Sequence, residues 1–257
     1  MTEVFVFQAA LRDFLRIKRI IVWILVAFAL FGISKVFLYV NQANDLAEAY
    51  SMLSSLLVFR VLPLASAIFS SAVIGQEVEQ KTIVYLLTRP VERWKLVLFR
   101  TLASAVAVSL VSVVTLALVS AAVYGSPFSN PMFFRDLVAI LVGSLAYGTL
   151  FVFVTLLMSK AAMVVCLLFA FAWETAVPNM PGSMSSLSVS TYLSAIAQRP
   201  SALGGGGFLG NMANALGVNA VSAQTGWMIL ALMIAFFGGL GMWWFSTFEF
   251  LPREDAE

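Results

Sequence analysis

The sequence predicts an all-α integral membrane protein, a six-transmembrane-helix bundle with an N-terminal interfacial helix and short re-entrant helices between spans five and six. Hydrophobic residues make up 61% of the 257 positions and charged residues only 11%, whereas soluble domains carry about a quarter charged residues. The apolar runs are long and continuous. A crossing helix needs about 20 such residues to pass a hydrocarbon layer of about 30 Å, and the runs lack the alternation of membrane barrel strands. With a mean hydropathy of +0.96, the backbone must satisfy its own hydrogen bonds in lipid, which helices do within one segment.

Before the first span, Val4, Phe7, Leu11, Phe14 and Leu15 recur at helical spacing among Arg12, Arg16, Lys18 and Arg19. That pattern predicts an amphipathic helix over 1–19, lying in the membrane interface. Spans follow at Ile20 to Val40, Leu53 to Ile74, Leu102 to Tyr124, Leu137 to Met158, Ala161 to Val177 and Trp227 to Phe248. The run from Ile20 is too long for the apolar core of a signal peptide, so it is expected to remain as a helix. The whole of 1–257 reads as one transmembrane domain. Spans four and five are separated by little more than Ser159 and Lys160, which makes them antiparallel neighbours.

Lys and Arg favour cytoplasmic segments. Arg12, Arg16, Lys18, Arg19, Lys81, Arg89, Arg93, Lys95, Arg100, Lys160 and Arg253 fall on one side, against Lys35, Arg135 and Arg199 on the other, with Arg60 inside span two. This bias places both termini in the cytoplasm of a multi-pass protein of the cell inner or plasma membrane. The loop 178–226 is then extracytoplasmic. Arg199 is its only ionisable residue, and apolar positions recur at Leu187, Val189, Tyr192, Leu193 and Ile196 and again at Phe208, Leu209, Met212 and Leu216. Two short helices dipping into the outer membrane face are expected there.

Composition excludes several chemistries. The chain has no His and a single cysteine, Cys166, which removes internal disulfides, His-assisted proton transfer and Cys/His metal sites. The glycines at 204–207 are followed by no Gly-Lys-Ser/Thr and read as a flexible linker rather than a phosphate loop. Met180, Met184 and Met212 read as apolar contacts. Rows of small residues, Ser144 and Gly148 in span four and Ala231, Ala235 and Gly239 in span six, suit close helix packing. Pro63 is positioned to kink span two.

Ionisable residues inside a membrane are functional candidates by default. Arg60 and Glu174 both fall near the outer ends of their spans, and a mutual ion pair that helps hold an outer gate is one reading. The other is that Arg60 snorkels to the headgroups.

The densest charge cluster lies in 75–100, between spans two and three. Thr88-Arg89-Pro90 stops one short amphipathic helix and opens the next, since proline suits the first turn of a helix. Three carboxylates against five bases suit docking into a protein groove, where both signs fix the register. The run Glu77-x-Glu79-x-x-Thr82, then Leu86-Leu87-x-Arg89-Pro90-Val91-x-Arg93, resembles the segment after the second transmembrane helix of type-2 ATP-binding-cassette (ABC) permeases. These are the exporter class of many drug, polysaccharide and bacitracin-resistance systems. Lys81 and Arg100 depart from the pattern, standing where the family usually has Gly and Lys.

The resemblance implies a membrane-spanning permease subunit of an ABC exporter. By it, Glu77, Glu79, Thr82, Arg89, Pro90 and Arg93 form the coupling helix that seats in a separate ATPase. The chain itself would not be an enzyme and would bind no cofactor, ATP and Mg belonging to the partner. Its expected partners are that cognate ABC ATPase subunit, a second permease copy or paralogue in a homo- or heterodimer, and membrane lipid, with no nucleic acid. The competing reading is an ATP-independent secondary transporter or channel using Arg60 and Glu174.

Overall fold

The computed structural model describes residues 2–41, 45–75, 92–130, 132–158, 161–179, 182–199 and 221–247. Those residues are helical almost throughout and contain no strand. Helix α1 (Thr2–Phe14) is followed, after a short elbow, by α2 (Ile17–Asn41). Next comes a continuous rod made of α3 (Leu46–Leu53), a π-helical turn at Ser54–Val58, and α4 (Phe59–Ser71). Helix α5 (Arg93–Tyr124) and helix α6 (Phe133–Leu157) complete the centre. A shorter rod follows: α7 (Ala162–Leu168), a second π turn at Phe169–Trp173, and α8 (Glu174–Ala176). The short helix α9 (Val189–Ile196) then leads to α10 (Ala223–Thr247).

Among the described residues, five helices are long and apolar enough to cross a membrane: Arg19–Val40, Leu46–Ser71, Arg93–Tyr124, Phe133–Leu157 and Ala223–Thr247. They coincide with five of the expected spans. The apolar rod Ala162–Ala176 is shorter than these and falls on expected span five. The largest extensions beyond the expected spans are at the starts of the second and third. The second rod starts at Leu46, because Asp45 caps it, its side chain accepting from the Ala47 and Glu48 N–H groups. Helix α5 starts at Arg93, so the charged stretch before Leu102 runs into the third span as helix, as the sequence reading expects of the helix that carries Arg93 and Lys95.

The α3–α4 rod, α5 and α6 form the core, and α2 and α10 stand at its periphery with most of their surface outward. Helix α5 packs on α1, α2, α4, α6 and α10. It ends at Gly125, whose φ of 79° is left-handed and whose N–H closes on the Ala121 carbonyl, a conformation that costs glycine little. Core hydroxyls mostly bond within their own helices: Thr101 to the Val97 carbonyl, Ser104 to Thr101, Thr115 to Val111 and Thr155 to Phe151. Such back-bonding lets a polar side chain sit in an apolar interior at low cost.

The expected small-residue rows behave differently from each other. Gly148 faces Ala105 and Ser70 at ordinary contact distance, while Ala231, Ala235 and Gly239 are exposed on the outer face of α10. The tightest point is Gly143, which the sequence reading passed over. A Cβ there would lie 2.7 Å from Leu62 Cδ2 and 2.8 Å from Leu193 Cδ1. Both leucines are fully packed, so they cannot swing away.

Replacing Gly143 by leucine should therefore cost about 1–3 kcal/mol, the usual penalty for overpacking, read as a lower melting temperature in detergent. Gly239→Leu should leave the melt unchanged, since nothing lies within 4 Å of a Cβ there.

Candidate functional site, a clamped cap at one end of the bundle

Helix α9 and the turn before it lie across one end of the bundle, packed on α6 and α10. A buried ionic residue holds each end of this cap. At its C-terminal end Arg199 is 9% exposed, although the sequence places it in an uncharged loop. Its Nε donates to Asp136 Oδ1 at 3.0 Å, its second terminal nitrogen pairs with Asp136 Oδ2, and Nη1 donates to the Ser51 carbonyl at 2.7 Å. The guanidinium also lies over the Tyr50 ring at 5.2 Å and the Phe59 ring at 5.6 Å.

Asp136 has no exposed surface. It occupies the first turn of α6, where the positive end of the helix dipole favours a carboxylate. Tyr50 donates its hydroxyl to Asp136 Oδ2 at 2.6 Å, and Ser54 adds a longer bond at 3.4 Å. Every guanidinium nitrogen and both carboxylate oxygens thus have partners, the condition under which a buried pair offsets its desolvation cost.

The N-terminal end of the cap is held by Glu174, 1% exposed. Its Oε2 accepts from the Ser188 hydroxyl at 2.6 Å and the Ser190 N–H at 3.2 Å, and Oε1 from the Val189 N–H at 3.2 Å. An acidic side chain here does what a capping residue does, satisfying the orphan donors that open a helix. Negative charge at the start of α9 and positive charge at its end both complement its dipole.

The sequence brought Arg60 and Glu174 forward as an ion pair; the two residues touch through the main chain instead, the Glu174 carboxylate being taken up by Ser188, Val189 and Ser190. Arg60 Nη1 donates to the main-chain carbonyl of Glu174 at 2.6 Å. The fully buried Tyr147 hydroxyl makes no hydrogen bond of good geometry. Each π turn ends beside this contact: the Phe59 N–H reaches back five residues to the Ser54 carbonyl, and the Glu174 N–H to that of Phe169. A π turn inserts an extra residue into a helix and recurs at functional sites. Here the two turns set the ends of α4 and α8 against each other.

Glu77, Glu79, Thr82, Arg89 and Pro90 lie outside the described residues. Arg93 is the first residue of α5, beside Glu92, which bridges Lys95 at 3.4 Å. The Phe208–Leu216 segment, read as a second short helix, lies outside the described residues as well.

Asp136 and Tyr50 were missed in the sequence. The available signal was Arg199 itself, since a lone base in an apolar stretch needs a carboxylate if it is buried. No group of three or more His, Cys, Asp or Glu side chains that could hold a metal occurs among the described residues. The cluster offers a mechanical clamp with no activated nucleophile.

A family model described as ABC-2 family transporter protein matches residues 5–249. The chain belongs to the ABC-2 transporter family. It is therefore the membrane permease of an ABC transporter, a subunit that is not itself catalytic and whose family implies an ATPase partner. No curated protein matches the permease.

Removing one member of the Asp136–Arg199 pair strands a buried charge, so Asp136→Asn or Arg199→Gln should each cost about 3–5 kcal/mol. The double variant should lose much less than the sum, and a double-mutant cycle on thermal stability in detergent measures the coupling.

Proposed function

We propose that this permease is one half of an ABC exporter in the cell inner or plasma membrane. It pairs with a second copy or a paralogue and is driven by a separate ATPase seated on the Glu77 to Arg93 segment. In this reading it crosses the membrane six times, with Ala162–Ala176 as the short fifth crossing and both termini in the cytoplasm. The cap is then extracytoplasmic.

The observation that carries the proposal is α5. It is a single unbroken helix of 32 residues, about 48 Å long at the α-helical rise. It begins at Arg93, the last residue of the coupling motif, and ends at Tyr124, whose ring lies 5.9 Å from that of Tyr50 in the clamp. A push at the motif end reaches the cap end through one rigid rod that touches nearly every other span. ATP-driven closure of the partner would tilt α4 and α5 together, and the π turns beside Arg60 and Glu174 are where the α3–α4 and α7–α8 rods can yield.

Co-expression with its ATPase partner tests this directly. Glu77→Lys and Arg89→Glu should reduce permease-stimulated ATP hydrolysis by about tenfold or more, the effect of losing about 1.4 kcal/mol at the interface, while the permease still purifies as a folded protein. Undiminished transport by vesicles containing no ATPase would overturn the reading in favour of an ion-coupled carrier.

The Arg60–Glu174 gate is tested by charge exchange. Arg60→Glu removes the donor to the Glu174 carbonyl and Glu174→Arg the acceptor that opens α9, so each should abolish transport; attraction between the two charges adds to those bonds if the exchanged pair recovers part of it. Recovery stays partial because an arginine at 174 cannot accept from the Val189 and Ser190 N–H groups. A double variant no better than the singles would leave the carbonyl bond as the sole link.

A further inference from the structure

An apolar cavity of about 170 Å³ opens on the side of the bundle, away from the clamp. Phe14 of α1 and Leu15 just after it, Ile20 and Trp23 of α2, Phe69 of α4 and Leu110 of α5 line it. Its walls are aromatic and fixed. Trp23 stacks on Phe69 with ring centroids 5.9 Å apart, and Phe14 meets the same ring edge-on at 6.1 Å. Its mouth faces outward, where Ile24 and Leu110 are about half exposed. Apolar cavities of about 150 Å³ stay dry and take up apolar molecules, so one of this size in a bilayer holds hydrocarbon.

The rim supplies the selectivity. The chain leaves the cavity wall at Leu15 and rejoins it at Ile20, so the elbow between them borders the opening. Of the four residues in that elbow three are basic, Arg16, Lys18 and Arg19, and exposed Arg12 lies one turn earlier. The elbow is held in shape by the Arg19 and Ile20 N–H groups, which both close on the Arg16 carbonyl. Asp13 bridges Arg16 at 3.0 Å with both side chains well exposed. Such a surface bridge is weak and yields to a stronger anion.

An apolar slot bordered by a positive rim is complementary to one kind of molecule, a negative headgroup on a hydrocarbon tail. We propose that this slot is a binding site for one acyl chain of an anionic membrane phospholipid, with its phosphate on the Arg12–Arg19 elbow. The lipid fills the gap between α1, α2, α4 and α5 and braces the elbow against the core. The site requires only that the chain sit in a bilayer, so it stands apart from the transport reading.

Trp23 is the reporter. A full-length variant with every other tryptophan replaced by phenylalanine is reconstituted in phosphatidylcholine nanodiscs, and brominated phosphatidylglycerol or brominated phosphatidylcholine is added. Brominated phosphatidylglycerol should quench Trp23 at a mole fraction at least about fivefold lower, given the attraction of a basic cluster for anionic lipid. Arg16→Gln with Lys18→Gln should abolish the preference while leaving quenching by both lipids, and Leu110→Phe, which fills the slot, should reduce quenching by both. Native mass spectrometry of the unmodified chain gives an independent reading, with phosphatidylglycerol retained and lost on the same substitutions. Equal quenching by the two lipids, or a preference untouched by the arginine and lysine changes, overturns the proposal.

Discussion

The Asp136–Arg199 pair is the interaction on which the cap depends. Isolated, either charge in an apolar bundle would cost more than a small helix could return. Together, with Tyr50, Ser54 and the Ser51 carbonyl completing their hydrogen bonds, they become a fixed point that ties chain segments far apart in sequence. Arg199 is 63 residues from Asp136 and 148 from Ser51. Helix α9 has only eight residues, too short to be stable alone, so its existence follows from being held at both ends and packed beneath.

Glu174 adds the second fixed point and links it to the spans. Its carboxylate is occupied by the start of α9, and its carbonyl by Arg60 of α4. One residue therefore couples the cap, the short α7–α8 rod and the second span. Because the π turn before it already departs from regular α geometry, a change of register there would move the carboxylate and the carbonyl together. Opening the Arg60 contact and loosening α9 would then be one event.

The fold was largely legible because its signals are long and additive. An unbroken apolar run such as 137–158 or 227–248 identifies a membrane helix whatever its neighbours do, and five such runs coincide with the long helices. The family was legible for a different reason, in the residue order of Glu77 to Arg93. The clamp was not. Asp136 lies beside Arg135 and looks like half of a charged span end, while its true partner lies far along the chain. Gly143 was hidden in the same way. Ser144 and Gly148 offered a tidy four-residue row, yet the place where α4 and α9 press closest is set by how three elements converge, which no local spacing encodes. The two π turns have no breaker to announce them, since Ser-Ser-Leu-Leu-Val and Phe-Ala-Phe-Ala-Trp read as ordinary helix.

The distribution of hydrogen bonds gives the bundle a mechanical polarity. Inside it, most hydroxyls of α5 and α6 bond back to their own helices, and the spans meet through apolar side chains, as in the packing of Phe69, Leu62 and Phe151. Contacts of that kind tolerate a small tilt, because no directional bond has to break. The Cys166 thiol is a minor exception, its contacts to Thr155 and the Phe151 carbonyl being long at 3.9 and 3.8 Å. At the cap end the described residues concentrate short, charged bonds between separate elements. A displacement applied to α5 at Arg93 would meet little resistance through the apolar middle and would arrive at a clamp of discrete bonds. Under the proposed drive, gradual motion would thereby be converted into a step, since a cap held by a few strong bonds is either latched or released.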